Sequence, residues 1–190
     1  MLTTTMHRQR GITLIEVLIT IVILAFGLLG IAVFQSKASV GSIESYQRAQ
    51  AVILLDDMTA RVQGNPENAA FYESTNIGTG DDQPADCSAL GTGATRDVCE
   101  WSNLLKGAAE TDSDTKVGAM IGARGCITLL QAADRSAGVC RPGIVQVAVA
   151  WQGLHATQAP SLDCGQRQFG DESYRRLISA QVLIPLLDCK

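Results

Sequence analysis

Residues Ile12 to Phe34 constrain this chain more than any other stretch. They read ITLIEVLITIVILAFGLLGIAVF, 23 residues of which 18 are Ile, Leu, Val, Ala or Phe and one, Glu16, is charged. As a helix the run spans about 35 Å at ~1.5 Å per residue, enough to cross a bilayer core of ~30 Å. A helix of a soluble core keeps a polar face, and this run has none. His7, Arg8 and Arg10 precede it, with no acidic residue among residues 1–11. Basic flanks are retained in the cytoplasm. The sequence therefore predicts a cytoplasmic N-terminus, with everything after about Phe34 across the membrane. A secretory signal peptide has a shorter apolar region and a small-residue cleavage site; no Ala-x-Ala directly follows this run.

Beyond the apolar run the pattern turns amphipathic. From Gln35 to Gln63, Val40, Ile43, Ala51, Leu54, Met58 and Val62 recur at helical spacing. Glu44 with Arg48, and Asp57 with Arg61, read as i,i+4 ion pairs on the solvated side, each contributing a few tenths of a kcal/mol. Gly64-Asn65-Pro66 ends the helix, because Gly accepts the left-handed C-terminal conformation and Pro blocks continuation. One helix from about Ile12 to Gln63 follows, its second half able to clamp onto a soluble domain.

Residues 65–116 read as loop-rich. A helix is expected at about Arg96 to Lys106, with Thr95 as N-cap and Val98, Trp101 and Leu105 as its apolar face. The Asp clusters at Gly78–Asp82 and Thr111–Asp114 lack the spacing of an EF-hand and read as solvated turns. Strands are expected at Gly125–Gln131, Ile144–Trp151 and Arg175–Ile184, with a short one at Val117–Ile121. In the second, Val145, Val147, Val149 and Trp151 share a face; in the third, Ile178, Ala180, Val182 and Ile184 alternate with Leu177, Ser179, Gln181 and Leu183. Three or four antiparallel strands laid against Val40–Val62 would bury one sheet face and one helix stripe.

Six cysteines, Cys87, Cys99, Cys126, Cys140, Cys164 and Cys189, all follow the apolar run. That distribution fits an oxidising compartment and three disulfides. Fifteen pairings are open; nearest neighbours, Cys87–Cys99, Cys126–Cys140 and Cys164–Cys189, are the expectation. Zinc is disfavoured, since no Cys-x-x-Cys is present and only His155 shares that side. The same scarcity argues against catalysis: there is no Gly-x-Ser-x-Gly, His-Glu-x-x-His or phosphate loop, and His155 beside Gly153-Leu154 reads as a turn residue. A net charge of −4 and pI of about 5.1 are a poor basis for binding nucleic acid. No cofactor is expected.

Arg8-Gln9-Arg10-Gly11 followed by Ile12-Thr13-Leu14-Ile15-Glu16-Val17-Leu18 resembles the class III leader of type IV prepilins and type II secretion pseudopilins. The resemblance implies that a prepilin peptidase cuts between Gly11 and Ile12 and methylates Ile12, where the family most often has Phe. A start at Met6 would shorten the leader. Loss of Arg8 and Arg10 takes the net charge from −4 to −6. A carboxylate costs about 2.5–3.5 kcal/mol at the centre of a membrane helix. Glu16 lies near the cytoplasmic end, where that cost falls, and the freed amino group of Ile12 offers it a partner. By resemblance that partner belongs to an adjacent subunit, and Glu16 sets the axial register of assembly. Gly27 and Gly30 cost roughly 1 kcal/mol each relative to Ala; they read equally as a soft point or as close helix contacts.

The implied fold class is α+β, the pilin fold: a long N-terminal helix on a small antiparallel sheet. The implied organisation is a leader (1–11), a transmembrane and assembly helix (12–34), its amphipathic half (35–64) and a periplasmic headgroup (65–190). Asp57-Met58-Thr59-Ala60-Arg61-Val62-Gln63-Gly64-Asn65-Pro66, then Phe71-Tyr72, a helix with Asp97 and Trp101, and Val149-Ala150-Trp151-Gln152 resemble the minor pilins of the PilV family, the type IV pilus modification proteins. That resemblance implies a low-abundance pilin in an inner-membrane priming complex that ends at the pilus tip. Its partners would be other minor pilins, the major pilin and a tip adhesin, and twitching motility and attachment would depend on it. The alternative is an I-like type II secretion pseudopilin.

Overall fold

Helix α1 spans Leu14–Gly64, close to the helix predicted from Ile12 to Gln63. The structure, a computed structural model, describes residues 11–107, 111–112, 115–116, 120–136 and 138–186. The chain divides into two compact units, Met1–Ser42 and Ile43–Lys190, so the division falls inside α1 rather than where the composition changes. In the first unit every side chain from Ile12 to Ser39 is exposed. The helix is unbroken through Gly27 and Gly30, and a Cβ at either would meet no atom within 4 Å.

The second unit is an α+β headgroup. Strands β1 (Ser74–Gly78), β4 (Ile121–Gln131), β5 (Gly143–Gln152) and β6 (Arg175–Ile184) form an antiparallel sheet in the order β1-β4-β5-β6. β2 (Thr111–Asp112) and β3 (Thr115–Lys116) make a separate two-stranded ribbon. The expected strand over Val117–Ile121 is not found as such: residues 117–119 lie outside the described residues, and Ile121 opens β4. β1 was not expected. It has one large apolar residue, Ile77, and becomes a strand by pairing with Gly125 and Arg124 of β4.

One face of the sheet builds the core. Ile127 of β4, Val145, Val147 and Val149 of β5 and Val182 of β6 join Ala51, Met58 and Val62 of α1 in a single cluster. The helix stripe is shifted from the expected one: Gln47 and Leu55 are buried, while Ile43 is 47% exposed. Helix α2 (Ala94–Leu105) buries Val98, Trp101 and Leu105, the predicted face. Its N-cap is Gly93 at φ 109°, not Thr95, which lies inside the first turn; Gly accepts that left-handed conformation and its carbonyl receives the Asp97 N–H.

The other sheet face is covered in part. The segment between β5 and β6 folds back over it, setting Cys164 and Phe169 against Cys126, Ala148 and Ala150. Arg175, 2% exposed, holds that segment from below. It donates to the carbonyls of Pro160, Leu162 and Cys164 and pairs with Glu172.

Disulfides follow this topology rather than the sequence order. Cys87 is bonded to Cys99, as expected from proximity. Cys126 is bonded to Cys164, which overturns both Cys126–Cys140 and Cys164–Cys189. β4 places Cys126 opposite Ala148 on the covered face, where the returning segment brings Cys164 against it. Cys140 is also disulfide-bonded; Cys189 lies outside the described residues.

The Gly78–Asp82 turn is not merely solvated. Asp81 accepts from the Gly78 and Gln83 N–H groups and the Ser102 hydroxyl, and pairs with Lys106. Burial alone would raise its pKa, but these donors together hold it below the ordinary carboxylate value. A depressed folded pKa adds stability above the unfolded value, and that stability is lost as pH falls through the folded one. Urea unfolding of the parent and Asp81→Asn should therefore differ at pH 6 and converge toward pH 3. A constant difference would mean that Asp81 contributes by shape alone.

Candidate functional site

The N-terminal site is built from the start of α1. Gly11, Ile12 and Thr13 are non-helical and exposed. The Thr13 carbonyl receives the N–H groups of Glu16, at 3.1 Å, and Val17, at 3.3 Å, and so opens the helix. Glu16 is exposed in the first turn, where a carboxylate complements the helix dipole. The Gly11–Ile12 peptide thus sits in non-helical, accessible chain immediately before the helix. Arg8 and Arg10 lie outside the described residues. α1 is long and apolar enough to cross a membrane, and none of its apolar window is buried.

Residues 6–32 match the family model described as the prokaryotic N-terminal methylation motif. The chain carries a prepilin-type N-terminus. That motif lies over the start of α1, the helix that is long and apolar enough to cross a membrane. No curated protein and no solved structure gives a match. The match is confined to the leader and first part of α1, so the headgroup must be read from its own geometry.

In the headgroup of this prepilin-type chain, the residues behind the PilV resemblance converge. Arg61 reaches beyond Asp57, its expected i,i+4 partner at 2.9 Å, to Asp97 at 3.1 Å and Glu100 at 2.7 Å on α2. Tyr72 donates its hydroxyl to Asp97 at 2.5 Å, and Asn65 donates to the same hydroxyl. Burial, with the Asp97 hydrogen bond second, pushes the Tyr72 phenol up to about 12. Burial opposes the Arg61 charge, yet hydrogen bonds to Glu100, Asp57 and Asp97 hold it above its ordinary pKa. The end of α1, the turn after Pro66 and α2 are thereby locked together. The Asp57-to-Pro66 signature is a splice between elements, not an exposed recognition motif. Phe71 is the exception, at 75% exposed beside buried Tyr72.

A second cluster escaped the sequence reading. Glu44 does not pair with Arg48. Its Oε1 accepts from the Leu154 N–H at 2.9 Å and from Arg176 at 3.2 Å, and lies 2.9 Å from His155 Nδ1. His155 is therefore a partner of α1 rather than a bare turn residue. Nothing in the sequence signals this, because the residues are joined only by the packing of helix on sheet. Among the described residues no group of three or more His, Cys, Asp or Glu is placed to hold a metal. A cleft of about 450 Å³ lies beside the Cys126–Cys164 bridge and is lined by Thr75, Asn76, Thr128, Gln146 and Asp163.

Proposed function

We propose that this protein is a minor pilin of a type IV pilus. Prepilin peptidase cleaves it after Gly11 and methylates Ile12. The headgroup lies in the periplasm, the N-terminus in the cytoplasm, and α1 holds the chain in the inner membrane until assembly. There it joins other minor pilins in a priming complex carried to the pilus tip, supporting twitching motility and adhesion. The observation that carries this reading is the methylation motif over residues 6–32, which spans a non-helical, exposed Gly11–Ile12 junction and the exposed apolar start of α1. The Arg61–Tyr72–Asp97 splice, built from the residues that resemble the PilV family, supports the pilus assignment over secretion. The disulfides support an oxidising compartment.

Mass spectrometry of the protein isolated from cells tests the reading: the first residue is expected to be N-methyl-Ile12, and a chain retaining residues 1–11 sinks it. Deletion separates pilus from secretion, since loss of twitching with intact protein export is expected and the reverse would make it a pseudopilin. Glu16→Ala should leave membrane levels unchanged. Incorporation into pili should fall at least about tenfold, because an uncompensated buried amino group costs about 3–5 kcal/mol. Parent-level incorporation would remove Glu16 from assembly.

A further inference from the structure

The cleft beside the Cys126–Cys164 bridge is built from three parts of the headgroup. Ile127 and Val147 face the core, so Thr128 of β4 and Gln146 of β5, cross-strand partners one step along, face the opposite side. Thr75 and Asn76 come from β1, and Leu162 and Asp163 from the segment that returns over that face. All of them lie within the Ile43–Lys190 unit. The walls are tied together. The disulfide pins the returning segment to β4, and Asn76 Oδ1 accepts the Gly165 N–H at 3.1 Å, which joins β1 to the same segment. Asn76 sits at φ 53°. A non-glycine residue holds that left-handed conformation where its surroundings impose it, and such positions gather at binding sites.

The polar lining is unspent. Among the described residues, the side chains of Thr75, Thr128, Gln146 and Asp163 make no hydrogen bond to the chain, and neither does the Asn76 NH2 group. Asn65, Asn103, Gln131 and Gln168, by contrast, each bond another part of the protein. Two carboxamides, two hydroxyls and a carboxylate thus line one cavity of about 450 Å³, within the ~300–1,000 Å³ range of small-ligand sites. A carboxamide sets donors beside an acceptor, a hydroxyl does both, and a carboxylate accepts. Neighbouring hydroxyls on a sugar ring have the matching need, since each donates and accepts. Ala148, Leu162 and the disulfide add an apolar patch for the C–H face of such a ring. None of the described lining residues is a cation that would hold a phosphate or carboxylate. Arg124 donates to Gln168 and the Asn76 carbonyl, Arg175 to the carbonyls of Leu162 and Cys164, and Asp163 repels anions. None of them is aromatic either, which leaves a peptide without its usual anchor pocket.

We propose that this cleft binds an uncharged saccharide. The carboxamides of Asn76 and Gln146 and the Thr128 hydroxyl bond ring hydroxyls, Asp163 accepts from a further one, and the C–H face of the ring rests on Ala148 and the bridge. The disulfide and the Asn76–Gly165 bond hold the walls before the ligand arrives, which lowers the cost of binding. The site rests on the headgroup alone, so it stands or falls separately from the pilin reading.

An array of neutral oligosaccharides, with sialylated and sulfated counterparts, tests the site on the full-length chain in a detergent that has no sugar headgroup. Binding to neutral members is expected. Binding to none, or to the charged members alone, overturns the inference. Gln146→Leu and Thr128→Val keep side-chain bulk and remove the polar atoms. Each should weaken binding of the tightest array glycan about tenfold, the effect of losing one or two neutral hydrogen bonds. The thermal midpoint should hold, because neither group bonds the protein. Gln181 is the exposed cross-strand partner of Gln146 on β6 and lies outside the cleft lining, so Gln181→Leu should bind as the parent does. A matching loss at Gln181, or no loss at Gln146 and Thr128, overturns the site. Should either cleft variant lower the midpoint, amide exchange of the parent decides. Protection of residues 75–76, 126–128 and 163–165 by the glycan supports the cleft, and protection elsewhere or none overturns it. Retention of residues 1–11 in cells would remove the pilin reading and leave this result untouched.

Discussion

Trp101→Ala is expected to cost the headgroup about 4 kcal/mol, within the ~3–5 kcal/mol seen for emptying a buried aromatic site. Trp101 is fully buried, and its Nε1 donates to the Leu54 carbonyl of α1 at 2.8 Å. That one side chain therefore ties α2 to α1. Its ring also fills the space above β4: a Cβ placed on Gly125 would stand 2.2 Å from Cη2 and Cζ3. Gly125 is thus required by the ring, not by its own backbone. Gly125→Ala should destabilise the parent strongly and be much milder in the Trp101→Ala background, since the methyl then enters the vacated space. Trp101→Phe should keep most of the packing and lose the hydrogen bond, costing about 1–2 kcal/mol. Thermal unfolding of the four proteins in detergent reads the cycle, with a drop near 10 °C expected for Trp101→Ala. Additive costs for the two sites would refute the ring-to-glycine fit.

The parts legible in the sequence were those set by local hydropathy. The apolar run announces α1 because no soluble surface tolerates it, and Val145, Val147 and Val149 announce β5 because β-branched alternation suits a half-covered pleat. Val98, Trp101 and Leu105 announce α2. The N-terminal motif was legible as a pattern of residue types, and the methylation-motif match covers residues 6–32. What escaped was set by tertiary pairing. β1 is a strand because β4 lies beside it. Glu44 leaves Arg48 for Arg176 and His155, because the segment after β5 reaches α1. Arg61 gains Asp97 and Glu100 because α2 crosses the end of α1. Asp81 looked like one acid of a solvated turn, yet its carboxylate is the node that fastens that turn to Ser102 and Lys106. Sequence neighbours predicted the cysteine pairing correctly only where the bridge closes within one local segment.

The Cys126–Cys164 bridge gives the second large effect. It closes a loop of 38 residues, against 12 for Cys87–Cys99. On the chain-entropy scale these loops are worth about 4 and about 3 kcal/mol. The longer bridge also fixes the segment between β5 and β6 to the sheet, so its removal acts on a defined surface. Replacing both Cys126 and Cys164 by Ala should lower stability by about 4 kcal/mol. It should also raise amide exchange in residues 153–174 before β4 and β5 are affected. Phe169 would keep part of its cover, and Arg175 would still hold Pro160 and Leu162, so local loosening rather than global unfolding is expected. The Cys87/Cys99 double Ala variant should instead loosen the chain before α2 and leave residues 153–174 protected. Peptide mapping of the oxidised protein should join Cys126 to Cys164 and Cys87 to Cys99. A Cys126–Cys140 peptide would return the pairing to sequence order and leave the returning segment without its anchor.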